Sequence, residues 1–238
     1  MRSPENIVAE IQALKFAHGV TRIRFVDDLF LASKKIMHKT LSAFVSANLK
    51  VQWDATGRIN ILATSPPHLI DLMLQAGCRE VALGIESGSD RVLAHIKKRI
   101  TVEQVVAAVT RLCQAGISVK GYFILGLPSE TKEEQGQTLY LIEQLWNLTA
   151  NLPGSFRCSV FEYRPYPGTP EWQRLISTGL SAESMIHYES ESLIGLDDGG
   201  MLDDCDEFNF STGIQFGEVP VSETRRNVVR MMKRQRER

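Results

Sequence analysis

Two short stretches gather the residue types that hold and orient a polar ligand. They are Gly84-Ile85-Glu86-Ser87-Gly88-Ser89-Asp90 and Gly121-Tyr122-Phe123-Ile124-Leu125-Gly126-Leu127-Pro128-Ser129-Glu130. In each, an apolar strand-like run ends in glycine, hydroxyl and carboxylate groups, and a helical pattern follows. Parallel α/β proteins bind ligands outside the carboxyl ends of their strands, so these turns are candidate binding turns. Three further strand ends add Asp27, Asp28 and Phe30, then Asp54, Thr56 and Arg58, then Tyr163, Arg164, Pro165 and Tyr166. Carboxylates, a guanidinium, hydroxyls, aromatic rings and close-approach glycines together suit a polar organic ligand with a flat ring.

Each position also has a plainer reading. Glu86 also suits a cap for a helix starting near Ser89, although its tight glycine-bounded turn favours a ligand role. Asp27 and Asp28 suit helix caps as well as a ligand. Arg58 pairs with Asp54 in the bland alternative. Gly126 and Pro128 are also ordinary turn residues. The joint arrangement carries the signal, and the five histidines are assigned no chemistry.

The elements that must position these groups are legible as a repeated helix–glycine–strand unit. Ala17-His18-Gly19 leads into Val20 to Val26, Gln75-Ala76-Gly77 into Cys78 to Ile85, and Gln114-Ala115-Gly116 into Ile117 to Ile124. Glycine just past a helix end takes the left-handed conformation that other residues resist. Asn48 fills that place before the strand Lys50 to Asp54. Ser3-Pro4 marks a helix start. Thr101-Val102-Glu103-Gln104 and Thr131-Lys132-Glu133-Glu134 fit capping boxes. Strands are expected near 22–26, 50–54, 80–85, 118–125 and 157–163. The alternation predicts a parallel sheet with right-handed crossovers, in an open doubly wound sheet or a partial barrel. The largely apolar runs predict strands covered on both faces.

The 238 residues allow one sizeable core, and a composition of 43% hydrophobic and 23% charged residues is ordinary for a globular chain. A formal net charge of -1 argues against nucleic-acid binding as the main task. No membrane span or signal-peptide pattern is present, and a cytoplasmic protein is expected. The four cysteines, Cys78, Cys113, Cys158 and Cys205, are far apart and fit no metal-ligand spacing. After about residue 180 the pattern changes. Nine acidic residues and no Lys or Arg run from Glu183 to Glu207, then seven basic residues and one acid from Arg225 to Arg238. A loop and a solvated terminal helix are the expected reading, and a nucleic-acid tail is the weaker one.

The motifs resemble those of the radical S-adenosylmethionine enzymes, in particular the group that often carries a cobalamin-binding domain. The pieces are Arg2 to Ile11, Phe25 to Phe30, Gly84 to Gly88, Gly121 to Glu130 and Tyr163 to Pro170, in the family's order over residues 1 to about 180. The resemblance implies an α/β fold, a partial parallel (β/α) barrel missing its first strand. It implies a core over 1–180 and an extension over 181–238 with an acidic loop and a basic helix.

By the same resemblance the cofactors are S-adenosylmethionine and a [4Fe–4S] cluster on a CxxxCxxC loop, with cobalamin as an optional third that the group often carries. An external electron donor and a small-molecule substrate go with them. Thiolate is the ligand such clusters need. One electron from the cluster breaks the sulfur–carbon bond, and the resulting adenosyl radical takes a hydrogen atom from substrate. Glu86 is then the carboxylate for the ribose or the amino group, with Ser87 and Gly88 shaping its turn. Gly126, Leu127 and Pro128 approach the adenine, and Tyr163, Arg164 and Pro165 close its far side. Asp27 and Asp28 face cluster and substrate, and Arg58 takes a carboxylate. The CxxxCxxC loop is not in the sequence. A truncated enzyme, inactive alone, is therefore expected, with a cluster-less adenosyl- or partner-binding scaffold and a tRNA-modifying enzyme as alternatives.

Overall fold

The computed structural model describes residues 2–27, 30–31, 33–187, 209–210 and 213–238. Asp28, Cys205 and most of the acidic run lie outside them. Helix α1 (Pro4–His18) starts on the Ser3 side chain, which accepts from the Asn6 N–H, and stops at Gly19 with φ 64°. Strand β1 (Arg22–Phe25) follows, then α2 (Lys34–Ser46), which is capped by Ser33. Next come β2 (Gln52–Gly57), α3 (Ile59–Ala63), α4 (Pro67–Gln75), β3 (Cys78–Glu86), α5 (Asp90–His95) and α6 (Val102–Gln114). The capping box expected at Thr101 is formed with Gln104. Then follow β4 (Ser118–Leu125), α7 (Lys132–Thr149), β5 (Phe156–Glu162) and α8 (Pro170–Ser177). Last come α9 (Ala182–Met185), the short pair β6 (Ile186–His187) and β7 (Asn209–Phe210), and α10 (Val221–Arg236). No helix among the described residues is long and apolar enough to cross a membrane.

The five main strands form an all-parallel sheet in the order β1-β2-β3-β4-β5. Each expected strand is present. The expectation that both faces are covered is overturned. Burial alternates along β3, β4 and β5, so one face is apolar and buried while the other is polar and partly exposed. The buried face carries Trp53, Val81, Leu83, Ile85, Val119 and Phe123. The other carries Arg24, Asp54, Glu80 and Ser118 in one register row. A parallel sheet with helices on one side only must alternate in this way, because the open side meets water.

The chain divides into two compact units. The first takes in residues 1–123 and 133–160, and the second 124–132 and 161–238. The first is built on the sheet and on an aromatic cluster beside β1, where Phe25 stacks on Phe30 at 4.0 Å and both meet Trp53 edge-on. The second has its own apolar nucleus of Trp172, Leu175 and Met185, with Ile214 and Phe216 against it.

Candidate functional site

In the first unit the site is best developed at the end of β3. A bulge between Gly84 and Glu86 shifts the register against β4. Glu86 itself has φ 69°, a left-handed conformation that costs a non-glycine residue energy. Bulges re-aim side chains, and strain of this kind is kept where a site needs it. The Glu86 carboxylate accepts a hydrogen bond from Lys98 Nζ at 2.6 Å. The pair lies over Gly84, where an added Cβ would stand 2.5 Å from Glu86 Oε1 and 2.7 Å from Lys98 Nζ. Helix α5 is capped by Ser89, whose side chain accepts from the Val92 N–H, so Glu86 is not the cap.

Ser87 and Gly88 fix this turn to α7. Ser87 Oγ and Thr138 Oγ1 are 3.2 Å apart, and the Gly88 N–H donates to Thr138 Oγ1 at 2.9 Å. A Cβ on Gly88 would meet the Gln137 carbonyl oxygen at 2.5 Å and Thr138 Cα at 2.6 Å. Ser87 is fully buried. One turn earlier in α7, Glu134 accepts from Ser89 Oγ at 3.0 Å and takes Arg91 through both oxygens at 2.5 Å. The turn that aims Glu86 is thus held by a buried hydroxyl network and a bidentate ion pair.

The polar face of the sheet adds groups that sequence reasoning missed. Asp54 does not pair with Arg58. It receives Arg24 at 2.6 Å and Arg22 at 3.3 Å. Glu80 accepts both Arg157 nitrogens, at 2.9 and 2.6 Å. These carboxylates hold the Arg24 and Arg157 guanidinium groups even more firmly protonated, with the hydrogen bond as the first cause. Lys120 sits 4.9 Å from the centre of the Tyr122 ring. The signal for this face was a period of two: Glu80, Ala82, Gly84 and Glu86 in β3, Lys120 and Tyr122 in β4. Lys98 gave no such signal, because it lies beyond α5 and folds back.

The remaining expected residues of this unit are more scattered. Arg58 is exposed and begins α3 with no side-chain cap bond. Asp27 is exposed beside a cavity of about 620 Å³ lined by Ile7, Ile11, Leu14, Phe25 and Phe30. Ser33, not Asp27, caps α2.

The second unit brings the ends of β4 and β5 together. The Tyr163 N–H donates to the Leu125 carbonyl at 2.8 Å. The Gly126 N–H, at φ 79°, donates to Glu130 Oε2 at 2.7 Å and closes the turn that holds Leu127 and Pro128. Arg164 donates to Glu162 at 3.3 Å, and Tyr163 meets Phe216 edge-on at 5.1 Å. Burial pushes the Tyr163 phenol above its usual range.

The cysteines of the described residues do not fit an iron–sulfur cluster. Cys78, Cys113 and Cys158 are buried on separate elements, and burial raises the pKa of every one, to about 12 for Cys113 and Cys158. Cluster ligation needs thiolates, and these sites disfavour them. No grouping of three or more His, Cys, Asp or Glu suited to a metal occurs among the described residues. The polar groups at the end of β3 do fit a sulfonium nucleoside. A carboxylate answers ribose hydroxyls or an ammonium, an ammonium answers a carboxylate, and Gly84 leaves the space that the pair itself occupies.

Comparison with known proteins assigns the family. The model of the radical SAM superfamily matches residues 1–142, and the chain belongs to that superfamily. It is 32% identical over 178 residues to an uncharacterised methyltransferase of Pyrococcus horikoshii, covering 75% of this chain and 36% of the relative. It is 29% identical over 147 residues to the anaerobic magnesium-protoporphyrin IX monomethyl ester cyclase of Rubrivivax gelatinosus, covering 62% of this chain and 26% of that one. The chain therefore spans roughly a third of the length of the curated relatives it matches. Among solved structures, the radical S-adenosylmethionine methyltransferase TsrM of Kitasatospora setae matches with TM-score 0.61 at 18% identity, over 81% of this chain and 36% of that one. The cobalamin-dependent enzyme OxsB matches with TM-score 0.61 at 14% identity, over 91% and 35%. These likenesses agree on the fold.

Proposed function

We propose that the chain supplies the S-adenosylmethionine-holding part of a radical S-adenosylmethionine enzyme acting on a small molecule. The Glu86–Lys98 pair over Gly84 carries the reading. A carboxylate paired with one cation at the end of a parallel strand is a ready acceptor for ribose hydroxyls or for the methionine ammonium. Ser87 and Gly88 act through Thr138 by keeping that carboxylate in place. Arg58 and Asp27 are proposed for a carboxylate and for the substrate side, and Asp28, outside the described residues, goes with Asp27. In the second unit, Gly126, Leu127, Pro128, Tyr163, Arg164 and Pro165 are proposed, independently, as cofactor-binding residues. When bound, S-adenosylmethionine supplies a sulfonium whose carbon–sulfur bond is the reactive one.

The superfamily's cluster enters the proposal only for the whole protein, since no described cysteine suits it. Cobalamin, on which OxsB depends and which TsrM binds, enters on the same footing, with no residue here assigned to it. An external electron donor and a cytoplasmic setting complete the reading. Titration calorimetry with S-adenosylhomocysteine tests it. The wild-type chain should bind, and Glu86→Ala should weaken binding about tenfold or more, the scale of one charged hydrogen bond. Equal silence from both would remove the assignment.

One observation favours a second reading, an RNA substrate. Arg226, Arg230 and Lys233 lie exposed along one face of α10. Filter binding to bulk tRNA across a salt series decides it. Steep salt-dependent binding supports it, and none at low salt ends it.

A further inference from the structure

We infer that the segment Phe216–Arg225 is a positioning element for the cofactor turn at the end of β4, and that Gly217 and Arg225 are its two anchors. The inference rests on the proposed role of Gly126, Leu127 and Pro128. Every contact that carries it lies within the second unit.

Ten residues of chain touch both strand-end groups of that unit. The Ser129 N–H donates to the Phe216 carbonyl at 3.1 Å, and the Glu218 N–H donates to the Glu130 carbonyl at 2.8 Å. These two bonds hold the back of the turn on both sides of Ser129 and Glu130. Ser129 has φ 62°, a conformation that a non-glycine residue keeps only when its neighbours impose it. Gly217 lies flat against the turn. A Cβ there would stand 2.7 Å from the Glu130 carbonyl oxygen and 3.2 Å from that of Leu127. Both obstacles are backbone, so nothing flexible can give way. Glu218 reaches on to the Lys132 N–H at 3.2 Å, and Thr224 Cγ2 lies 3.5 Å from where a Gly126 Cβ would stand.

The same segment fixes the end of β5. Phe216 packs edge-on against Tyr163, and Arg225 Nε donates to Glu162 Oε2 at 3.0 Å. That carboxylate also receives Arg164. Removing Arg225 leaves Glu162 with one fewer cation, and its side chain is largely buried. Partly buried charge pairs shift their surroundings when one member is lost. The basic helix α10 is therefore more than a solvated tail: Thr224 and Arg225 anchor its start, and Val228 and Met231 are buried further along it.

The test combines hydrogen exchange with S-adenosylhomocysteine calorimetry on the full chain, for wild type, Gly217→Val and Arg225→Gln. Exchange at Gly126, Ser129 and Glu218 should rise by about tenfold or more in both variants, while β2 and β3 amides keep their protection. Affinity for S-adenosylhomocysteine should fall about tenfold in both. If Gly217→Val loses protection throughout, Arg225→Gln decides alone. Faster exchange with unchanged affinity would reduce the segment to a structural brace and overturn its positioning role. Wild-type binding that persists in Glu86→Ala but fails in Gly217→Val supports the positioning role while removing the Glu86 assignment. No binding by wild type removes the cofactor reading and the positioning role with it.

Discussion

Lys98 Nζ and Glu86 Oε1 stand 2.6 Å apart across the surface of Gly84, although α5 separates them in sequence. The pair exists because three local facts agree. A bulge and a positive φ turn Glu86 out of the strand. The short α5 brings the chain back. A missing Cβ at Gly84 leaves space for both charged groups.

This makes Gly84 a site that separates function from stability. An alanine Cβ would strike the far ends of two flexible side chains, not backbone. The pair should swing aside at modest cost, because what the Cβ meets are the far ends of two flexible side chains, one of them a third exposed. Gly84→Ala should keep its urea midpoint close to wild type and lose most affinity for S-adenosylhomocysteine. A variant that binds normally would show that the space over Gly84 is not used.

Gly88→Ala should behave in the opposite way. Its Cβ would meet the backbone of Gln137 and Thr138 at 2.5–2.7 Å, and α7 would have to move. Overpacking of this kind costs about 1–3 kcal/mol. The Thr138 hydroxyl network would be strained as well, so urea denaturation should show a loss at the upper end of that range. An unchanged midpoint would contradict the close approach.

Stability should fall in alkali. Burial pushes the Cys113 and Cys158 thiols up to about 12, and that of Cys78 up as well. The folded state keeps these thiols protonated. The unfolded state releases their protons above the ordinary thiol value of about 8.5. The stabilisation is therefore complete below that value and is lost as pH rises toward 12. Each thiol removes up to about 1.4 kcal/mol per pH unit in that window. Urea midpoints from pH 8 to 11 should decline, and Cys113→Ala should decline less steeply. Identical slopes would contradict the burial.

Among the described residues, strand β1 is the outermost strand of the sheet and pairs with β2 alone. Beside it Val26 is 84% exposed, and the 620 Å³ cavity joins apolar side chains such as Ile7, Ile11, Leu14 and Phe25 to a charged rim that includes Arg2, Glu10 and Asp27. Open apolar edges of this kind recruit other chains. Light scattering should show association that rises with protein concentration, and Val26→Lys should reduce it. A monodisperse monomer at high concentration would contradict this expectation.

The strand positions, the helix caps at Ser3 and Thr101, and the polar strand ends were legible because each depends on local periodicity or a local side-chain bond. The one-sided sheet was not. Val81-Ala82-Leu83-Gly84-Ile85 reads as continuously apolar, because Ala82 and Gly84 are small rather than polar. Arg24, Asp54, Glu80, Glu86, Lys120 and Tyr122 betray the open face, but they are spread over four strands. The partner of Glu86 was hidden for a related reason. Lys97, Lys98 and Arg99 form a short basic run, and only the path of the chain after α5 singles out the middle one. Asp54 was read with Arg58 by proximity in sequence, whereas parallel pairing gives it the two arginines of β1. The strap on the β4 turn was out of reach, because Phe216 and Gly217 are nearly ninety residues beyond the turn they hold, past the acidic run.

The most direct test of the cofactor assignment is a crystal structure of the chain with S-adenosylhomocysteine. The expected result is ligand density against the Glu86 carboxylate at hydrogen-bond distance, with Lys98 still beside it. Density bound elsewhere, with Glu86 and Lys98 untouched, would contradict the assignment.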